Sequence, residues 1–428
     1  MSCAAERTPS APRPNVVLVT VDTLRADHME AYGYDRPTSP VFSRLAASGV
    51  RFGHALSQAP WTLPSMASVH TSLYPSQHGA VDAETAIPEA AETLAERLRA
   101  AGYSTVGVVS HDVVARKYGF AQGFDVFDES HLLGHGAVTS RGLSRIALAR
   151  LGEVAEPFFL WVHFFDPHFT YVRHPGVGFA DGYDGELPDR LTRERLVREE
   201  SGPDPERHLD YVEAVYDEEV AYTDRWIGRL WEEIGVRYGE GRSVLLLTAD
   251  HGEYFLERGR FFHGRDVYDA LVHVPLLIAG AIDPQLRGRV VAQTVETRSI
   301  PRTILALLGL PGDGFGGADL LAVARAGGGE PAFSEGSWAF GSADRKRAVV
   351  SDGWKLIHRL DDDGYELYEL GSDPRELDDR YEAEEDGPVT DRLHRLLDGF
   401  AELPRLERQP VGLSGEDLER LRALGYVP

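Results

Sequence analysis

The chain has 428 residues, of which 43% are hydrophobic and 26% charged, a composition typical of a globular protein. Its formal net charge of −24 argues against nucleic acid as a partner, because an acidic surface repels a polyanion. One cysteine, Cys3, excludes an internal disulfide and a cysteine metal cluster, and no stretch approaches the ~20 apolar residues of a membrane span. A small anionic substrate would need local positive charge at its site, which a bound cation would supply.

The first residues leave the cellular compartment open. Residues 1–14 are polar and proline-rich, so we expect a disordered tether without the apolar core of a signal peptide. This favours the cytoplasm by default. Cys3 followed by a polar segment is also how a lipoprotein begins after its leader is removed, so a periplasmic or lipid-anchored protein is the alternative.

Alternating strands and helices follow the tether. Asn15 to Asp22 is a continuous apolar run, which predicts a buried parallel strand. Helical spacing marks Glu92 to Tyr103 and Tyr211 to Gly235. Further buried strands are predicted in STVGVVS, in PFFLWVHFFD (Pro157 to Asp166), in SVLLLTAD (Ser243 to Asp250) and in HVPLLIAG.

This alternation predicts an α/β fold, a doubly wound mixed sheet flanked by helices. The pattern breaks in the glycine-rich segment Gly312 to Glu330. Beyond it, RAVVSDGWKLIHRL and YELYEL read as antiparallel strands, followed by charged helical segments. We therefore expect an α/β catalytic domain over 15–330 and a smaller C-terminal α+β subdomain over 331–428.

Polar side chains collect after the predicted strands, where ligands bind in such sheets. Singly, each has a structural explanation: Asp22 or Thr62 as a helix cap, His168 as a surface loop residue. Together they offer a mixed oxygen and nitrogen ligand set for a divalent cation. The candidates are Asp22, Thr62, Asp166, His168, Asp250, His251 and His263.

The ordered motifs resemble the sulfatase family of the alkaline phosphatase superfamily over nearly the whole chain. The motifs that carry this resemblance are NVVLVTVDTLRADHMEAYGY, WTLPSMASVHTSLYPSQHG, DPH, TADHGE, YDALVHVPLLI, ELYEL and the terminal LRALGYV. The resemblance implies metal ligation by Asp22, Asp250 and His251, and it places Thr62 at the nucleophile position and among the metal ligands. It implies substrate-anion or leaving-group roles for His168 and His263, with Asp166 beside them.

The chain departs from the family pattern at the nucleophile, at a second metal aspartate and at a Lys-x-His pair. The family signature is Cys/Ser-x-Pro-Ser-Arg, whose first residue becomes formylglycine, whereas this chain has Thr62 in the first place and Met66 in the last. Oxidation of threonine would give a ketone, so formylglycine is not expected. Thr23 stands where many sulfatases have a second metal aspartate, and Val108 to Val114 lacks the usual Lys-x-His pair.

The resemblance therefore favours a metal-dependent hydrolase or transferase of phosphate monoesters or diesters, with a small anionic ester as the substrate. Thr62 would be the nucleophile, and His168 or His263 would protonate the leaving alcohol. The alternatives are a sulfatase acting without formylglycine and a catalytically silent member that binds an anion.

One divalent ion (Mn²⁺, Mg²⁺, Ca²⁺ or Zn²⁺) is expected rather than two. Two-metal relatives use an Asp-x-x-x-His pair, but after Asp217 the histidine place holds Ala221. His263 with Asp166 or His168 would be the alternative ligands of a second ion. The long charged segment Pro175 to Asp204 is predicted to form part of the pocket rim or a lid. The sequence does not predict the oligomeric state.

Overall fold

The computed structural model of the chain describes residues 13–134, 138–336 and 345–423. Residues 1–12 of the predicted tether, including Cys3, lie outside the described residues, as does the end of the chain after residue 423. Within the described ranges, no helix combines the length and apolar character needed to cross a membrane.

An eight-stranded sheet forms the centre of the fold, in the order β8-β2-β7-β6-β1-β5-β3-β4. Only β7 runs antiparallel to its neighbours, so the sheet is mixed, as the sequence predicts. The strands are β1 (Asn15–Val21), β2 (Val50–Leu56), β3 (Ser104–Val109), β4 (Val126–Asp128), β5 (Phe158–Phe164), β6 (Ser243–Ala249), β7 (His273–Gly280) and β8 (Arg289–Glu296).

The central strands are continuous apolar runs because helices flank the sheet and bury them. Every residue of β1, β5 and β6 is buried. The α-helices are α1 (Pro40–Ser48), α2 (Thr62–Thr71), α3 (Pro75–His78), α4 (Leu94–Ala100), α5 (Ser140–Leu151), α6 (Arg193–Glu200), α7 (Leu209–Tyr238), α8 (Asp269–Val272), α9 (Ile300–Leu307), α10 (Leu320–Ala326), α11 (Tyr381–Glu384), α12 (Pro388–Ala401) and α13 (Gly415–Ala423).

Short elements complete the connections between these helices and strands. Single turns of 3-10 helix span Ala26–His28, Glu30–Tyr32, Asp112–Val114, Arg116–Tyr118, Pro205–His208, Pro284–Leu286 and Thr297–Ser299. Three pairs of two-residue strands join Thr85–Ala86 to Gln409–Pro410, Tyr171–Val172 to Arg190–Leu191, and Tyr254–Phe255 to Phe261–Phe262.

A second, antiparallel sheet lies in the C-terminal part of the chain, with its four strands in sequence order. They are β9 (Ala332–Gly336), β10 (Lys346–Ser351), β11 (Trp354–Arg359) and β12 (Gly364–Glu369). One apolar cluster joins this sheet to α8 through Tyr268 and Leu271, and another packs it against α12 through Leu393 and Leu397. The predicted α/β fold with a small C-terminal antiparallel sheet is confirmed, whereas the domain boundary at residues 330 and 331 stays a prediction.

The register of the central strands brings distant residues to one edge. Val21, the last residue of β1, is paired with Phe164 of β5 and with Ala249 of β6. All three strands run parallel, so the residues that follow them emerge together at their carboxyl ends. Asp22 and Asp250, separated by more than half of the chain, become neighbours for this reason.

Candidate active site

Thr62 stands at the first position of α2 and points its hydroxyl into the site. The N-cap residue is Trp61 rather than Thr62, so the capping role that the sequence also allowed is not the one observed. All ten residues of α2 are buried. The Thr62 Oγ1 atom lies 3.3 Å from Nε2 of His251. The alcohol therefore faces the residues that follow β6.

Asp22, Asp250 and His251 form a buried set of ligand atoms around that hydroxyl. One ligand atom from each residue lies within 4.8 Å of the other two. His251 Nε2 is 3.7 Å from Asp22 Oδ1 and 3.4 Å from Asp250 Oδ2. Among the residues that the structure describes, none makes a well-formed hydrogen bond to either oxygen of Asp22 or to Oδ2 of Asp250, although all three oxygens are buried. The approaches to Asp22 are the Thr62 hydroxyl and His163 Nε2, which lies 3.5 Å from Oδ2. Buried carboxylate oxygens normally find a partner, so these three fit a cation.

The backbone fixes the ring of His251 in the tautomer that a metal requires. His251 Nδ1 lies 2.8 Å from the carbonyl oxygen of Gly252, which can only accept a hydrogen bond. Nδ1 therefore carries the proton, and Nε2 keeps its lone pair. This lone pair faces the Thr62 hydroxyl 3.3 Å away.

The electrostatics of the site favour a bound cation. Burial raises the pKa of Asp22 well above its usual value, and the charges of Asp250 and Glu253 raise it further. Burial also lowers the pKa of His251 to about 4. A divalent ion would reverse the effect on Asp22, because it replaces carboxylate repulsion by attraction.

Serine side chains brace α2 against the end of β6. Ser65 Oγ donates a 2.6 Å hydrogen bond to the carbonyl oxygen of Asp250, and the hydroxyl of Ser57 donates to the same oxygen. The two hydroxyls are also 2.9 Å apart. These contacts hold the first turn of the helix, and with it Thr62, against the ligand set.

A group of histidines lines the other side of the site. The ring of His263 lies 4.3 Å from that of His251 and 5.0 Å from that of His168. His168 Nδ1 lies 2.7 Å from the carbonyl oxygen of Phe169, which leaves Nε2 without a proton in the neutral ring. The structure therefore brings His168 and His263 together with Asp22, Thr62, Asp250 and His251.

His111 belongs to the same group and was not among the sequence candidates. Ligand atoms of Asp22, His111 and His168 lie within 4.8 Å of one another. However, His111 Nδ1 accepts a 3.3 Å hydrogen bond from the backbone N–H of Val113, so its Nε2 carries the proton in the neutral ring. A proton donor there suits a substrate oxygen better than a metal. Its signal in the sequence was its position two residues after the end of the apolar run that forms β3.

Glu253 is the second residue that the sequence candidates missed. Its Oε1 lies 2.9 Å from Nδ1 of His263, and its Oε2 accepts a 3.1 Å hydrogen bond from the hydroxyl of Tyr171. Burial raises the pKa of Glu253 to about 8 and lowers the pKa of His263 to about 4. At neutral pH the pair therefore holds one proton, on the carboxyl group of Glu253.

Asp166 lies at the same sheet edge, but its carboxylate binds a helix terminus. It accepts hydrogen bonds from the backbone N–H groups of Thr139 (2.9 Å) and Ser140 (2.8 Å) and from both of their hydroxyls. Ser140 is the first residue of α5. These contacts occupy both carboxylate oxygens, so the substrate role expected for Asp166 has no support in this geometry.

The candidate second-metal aspartate is also engaged elsewhere. Asp217 in α7 accepts hydrogen bonds from His28 (2.8 Å), Tyr34 (2.6 Å) and Arg36 (2.7 Å). Thr23 contributes only its backbone N–H to the ligand set, which donates to Asp250 Oδ1 at 3.1 Å.

The predicted rim segment contains α6, which approaches the site through the strand preceding His263. The carboxylate of Glu200, the last residue of α6, accepts a 2.7 Å hydrogen bond from the backbone N–H of Phe261. The guanidinium of Arg193 lies 5.4 Å from the ring of Phe262. A role of this segment as a rim or lid stays a prediction.

Comparison with known proteins decides the family. A family model described as Sulfatase matches residues 14–310. This chain belongs to the sulfatase family. An arylsulfatase from Clostridium perfringens is 24% identical over 90% of this chain and 94% of its own length. An N-acetylglucosamine-6-O-sulfatase from Bacteroides thetaiotaomicron is 23% identical over 93% of this chain and 88% of its own.

Solved structures share the fold of this sulfatase-family chain. A phosphonate monoester hydrolase of Agrobacterium radiobacter superposes with a TM-score of 0.73 at 20% identity, covering 91% of this chain and 96% of the other. A protein solved with its substrate, D-glucosamine-2-N,6-O-disulfate, superposes with a TM-score of 0.72 at 19% identity, over 91% and 98% of the two chains. The chain is thus a hydrolase of a metal-dependent family, and its buried ligand set is consistent with that dependence.

Proposed function

We propose that this chain is a metal-dependent hydrolase of phosphoric monoesters or diesters that uses the hydroxyl of Thr62 as its nucleophile. The observation that supports this proposal is the position of Thr62 Oγ1, 3.3 Å from His251 Nε2 and facing the orphaned oxygens of Asp22 and Asp250. Asp22, Asp250 and His251 would hold the cation, with Thr62 as its fourth contact.

The chemistry of threonine favours phosphorus over sulfur. A formylglycine hydrate releases sulfate by collapsing to an aldehyde, whereas an ester of Thr62 must be cut by water. Superfamily members that use a threonine directly act on phosphorus, and this chain resembles them in having Thr62 in place of the oxidised residue. Met66, in place of the signature arginine, also argues against formylglycine.

The first step forms a bond between Thr62 Oγ1 and phosphorus and breaks the bond from phosphorus to the leaving alcohol. A bound divalent cation would lower the pKa of the Thr62 hydroxyl, so that its proton passes to solvent before the attack and the alkoxide is the nucleophile, and it would neutralise the ester oxygens. Thr62 stands at the N-terminus of α2, and the positive end of this helix dipole would favour binding of the same anion.

His263 and Glu253 supply the proton for the leaving alcohol. In the neutral ring that accepts from the Glu253 carboxyl at Nδ1, the Nε2 atom of His263 carries a proton. When Nε2 gives this proton to the leaving oxygen, Nδ1 takes the carboxyl proton, and Glu253 ends as a carboxylate. No isolated imidazolate forms, because the two transfers balance.

The second step reverses this proton movement. Glu253 draws the proton from Nδ1, Nε2 of His263 accepts a proton from water, and the water oxygen attacks phosphorus. The bond between phosphorus and Thr62 Oγ1 breaks, Thr62 returns to the alkoxide, and phosphate leaves from a monoester substrate or a phosphate monoester from a diester. A second alcohol in place of water would make the enzyme a transferase.

The test compares the wild type with Thr62→Ala on an aryl phosphate monoester, a phosphodiester, a phosphonate monoester and a sulfate ester, with each candidate metal. Thr71→Ala is the matched control, because it removes the same groups at the far end of the same buried helix. We expect turnover of phosphorus esters that Thr62→Ala abolishes and Thr71→Ala retains. Acid-quenched reactions should show phosphate on the peptide that contains Thr62.

Two results would overturn the proposal. Turnover of the sulfate ester alone would identify a sulfatase that works without formylglycine, in keeping with the names of the curated relatives. A protein that binds metal and turns over none of the four esters would be a silent, anion-binding member of the family.

A further inference from the structure

A second cluster of metal-ligating side chains lies away from the active site. His54 is in β2, Asp269 is the first residue of α8, and His273 is the first residue of β7. One ligand atom from each residue lies within 4.8 Å of the other two. The cluster shares no residue with the ligand sets around Asp22, so it is a separate candidate site.

Both histidines are oriented as metal ligands usually are, with a hydrogen-bond partner on the remote ring nitrogen. His273 Nε2 lies 3.1 Å from the carbonyl oxygen of Gly53, so it carries the proton and Nδ1 keeps a lone pair. His54 Nδ1 lies 3.0 Å from the hydroxyl of Thr294. Without a metal, His54 Nε2 donates to the Asp269 carboxylate 2.9 Å away, which can only accept. The Thr294 hydroxyl can accept as well as donate, so a cation that displaces the Nε2 proton leaves His54 protonated on Nδ1 and ligates Nε2.

Asp269 supplies the third ligand. Its Oδ2 lies 2.9 Å from Nε2 of His54, and its Oδ1 lies 2.7 Å from the ammonium group of Lys355. Lys355 is also 2.7 Å from the carboxylate of Glu376. The two carboxylates share this one ammonium group, so one negative charge is left to offset a cation between the two histidines when Glu376 is ionised, and burial raises the pKa of Glu376 to about 7.

The cluster opens into a cavity that gives an ion a route in. The three side chains line a cavity of about 700 Å³ together with Thr294, Arg258 and Glu376. The side chains of His54 and Asp269 keep 17% and 12% of their surface exposed. An ion held by three protein ligands here would have its remaining coordination position facing the cavity, where water can occupy it.

We propose that His54, Asp269 and His273 form a second metal site that binds Zn²⁺ with an open coordination position. Two imidazoles and one carboxylate with a free position are a donor set that zinc accepts in tetrahedral geometry. The other account of these contacts is an ion-pair network of His54, Asp269 and Lys355 without a metal. The two accounts predict different metal stoichiometries.

The experiment measures zinc bound per chain after equilibration with zinc and gel filtration, in the wild type, His54→Gln and His273→Gln. His358→Gln is the matched control, since His358 also pairs with an aspartate, Asp363 at 2.8 Å, at a position outside the cluster. We expect each cluster variant to lose one equivalent of zinc and the control to lose none. Equal zinc content in all four proteins would overturn the proposal.

Diffraction from wild-type crystals soaked in zinc needs no variant and so does not depend on variant folding. An anomalous peak at the zinc edge among His54, Asp269 and His273 is the expected result, and its absence would overturn the proposal. The outcome is separable from the Thr62 chemistry, because Thr62→Ala should retain this equivalent of zinc. An inactive enzyme that still binds zinc at His54 would refute the proposed function alone.

Discussion

Replacing Glu253 by glutamine should slow the cleavage of esters whose leaving alcohols are poor. Glu253 lies 2.9 Å from His263 Nδ1, and burial raises its pKa to about 8, so it holds a proton at neutral pH. Glutamine keeps the size and the hydrogen bond but cannot pass a proton. His263 could then protonate the leaving oxygen only by becoming an unsupported anion.

The size of the decrease in kcat follows from the hydrogen bond between Glu253 and His263 that is weakened in the transition state. A hydrogen bond to a charged group contributes about 1.5–3 kcal/mol, which corresponds to roughly 10- to 150-fold in rate. General acid catalysis as a whole is worth about 10²–10⁴, so the variant retains part of it through the His263 N–H. We therefore expect kcat to fall about 10- to 100-fold for alkyl phosphates and only slightly for 4-nitrophenyl phosphate.

The assay is kcat for a series of phosphate esters of rising leaving-group pKa, measured between pH 6 and 9. Wild-type kcat should fall as the pH rises through about 8, where Glu253 loses its proton. The Glu253→Gln variant should not show this decrease in kcat. Tyr171→Phe is the control: it removes the other hydrogen bond to the same carboxylate, worth about 1 kcal/mol, and retains the proton. Equal losses for good and poor leaving groups in Glu253→Gln would refute the relay.

The remaining predictions concern three aspartates with different tasks. Asp22→Asn should remove the active-site metal, seen as one equivalent less in metal analysis, and lower kcat/KM by about 10³ or more, because the Lewis acid supplies several kcal/mol. Asp166→Ala should destabilise the fold by about 1–2 kcal/mol in urea unfolding, because it exposes the N-terminus of α5, with KM nearly unchanged. A large rise in KM for Asp166→Ala would instead support a role of Asp166 in substrate binding. Burial raises the pKa of Asp224 to about 7, so the folded state favours its protonated form. The resulting contribution to the free energy of unfolding is fully present below about pH 4 and is lost as the pH rises through about 7. Asp224→Asn should flatten this decline in unfolding free energy, and an unchanged slope would contradict it.

The strands could be predicted because burial on both faces leaves a plain signal in the sequence. The apolar runs that become β1, β5 and β6 end one residue before Asp22, Phe165 and Asp250. The direction of β7 could not be predicted, because an apolar run reads alike in parallel and antiparallel neighbours. The two-residue strand pair of Tyr254–Phe255 and Phe261–Phe262 is likewise too short to carry a periodic pattern.

About half of the site residues could be predicted from their positions at strand ends. The others depend on contacts between distant segments, which the sequence spacing does not encode. Asp22, Asp250 and His251 could be predicted because parallel strands in register deliver their next residues to one place. The role of Glu253 could not be predicted, because it depends on the burial that raises its pKa and on its contact with His263. Asp166 follows the end of β5 by two residues, whereas Asp22 follows β1 directly, and Thr139 and Ser140 take the oxygens of Asp166.

Burial of the acidic groups couples metal binding to proton release. The pKa of Asp22 is raised well above its usual value by burial and by the charges of Asp250 and Glu253, which favours its protonated form in the metal-free site. A cation needs the carboxylate, so its binding must expel the proton, and apparent affinity rises with pH until that group is ionised. Glu253 works in the opposite sense, because it must keep its proton for the leaving alcohol. Activity therefore requires a pH at which the cation has displaced the proton of Asp22 while Glu253 still holds its own. This is possible only if the cation lowers the pKa of Asp22 much more than the pKa of Glu253. The geometry agrees, because Asp22 offers two oxygens without a well-formed hydrogen bond, whereas His263 and Tyr171 engage both oxygens of Glu253.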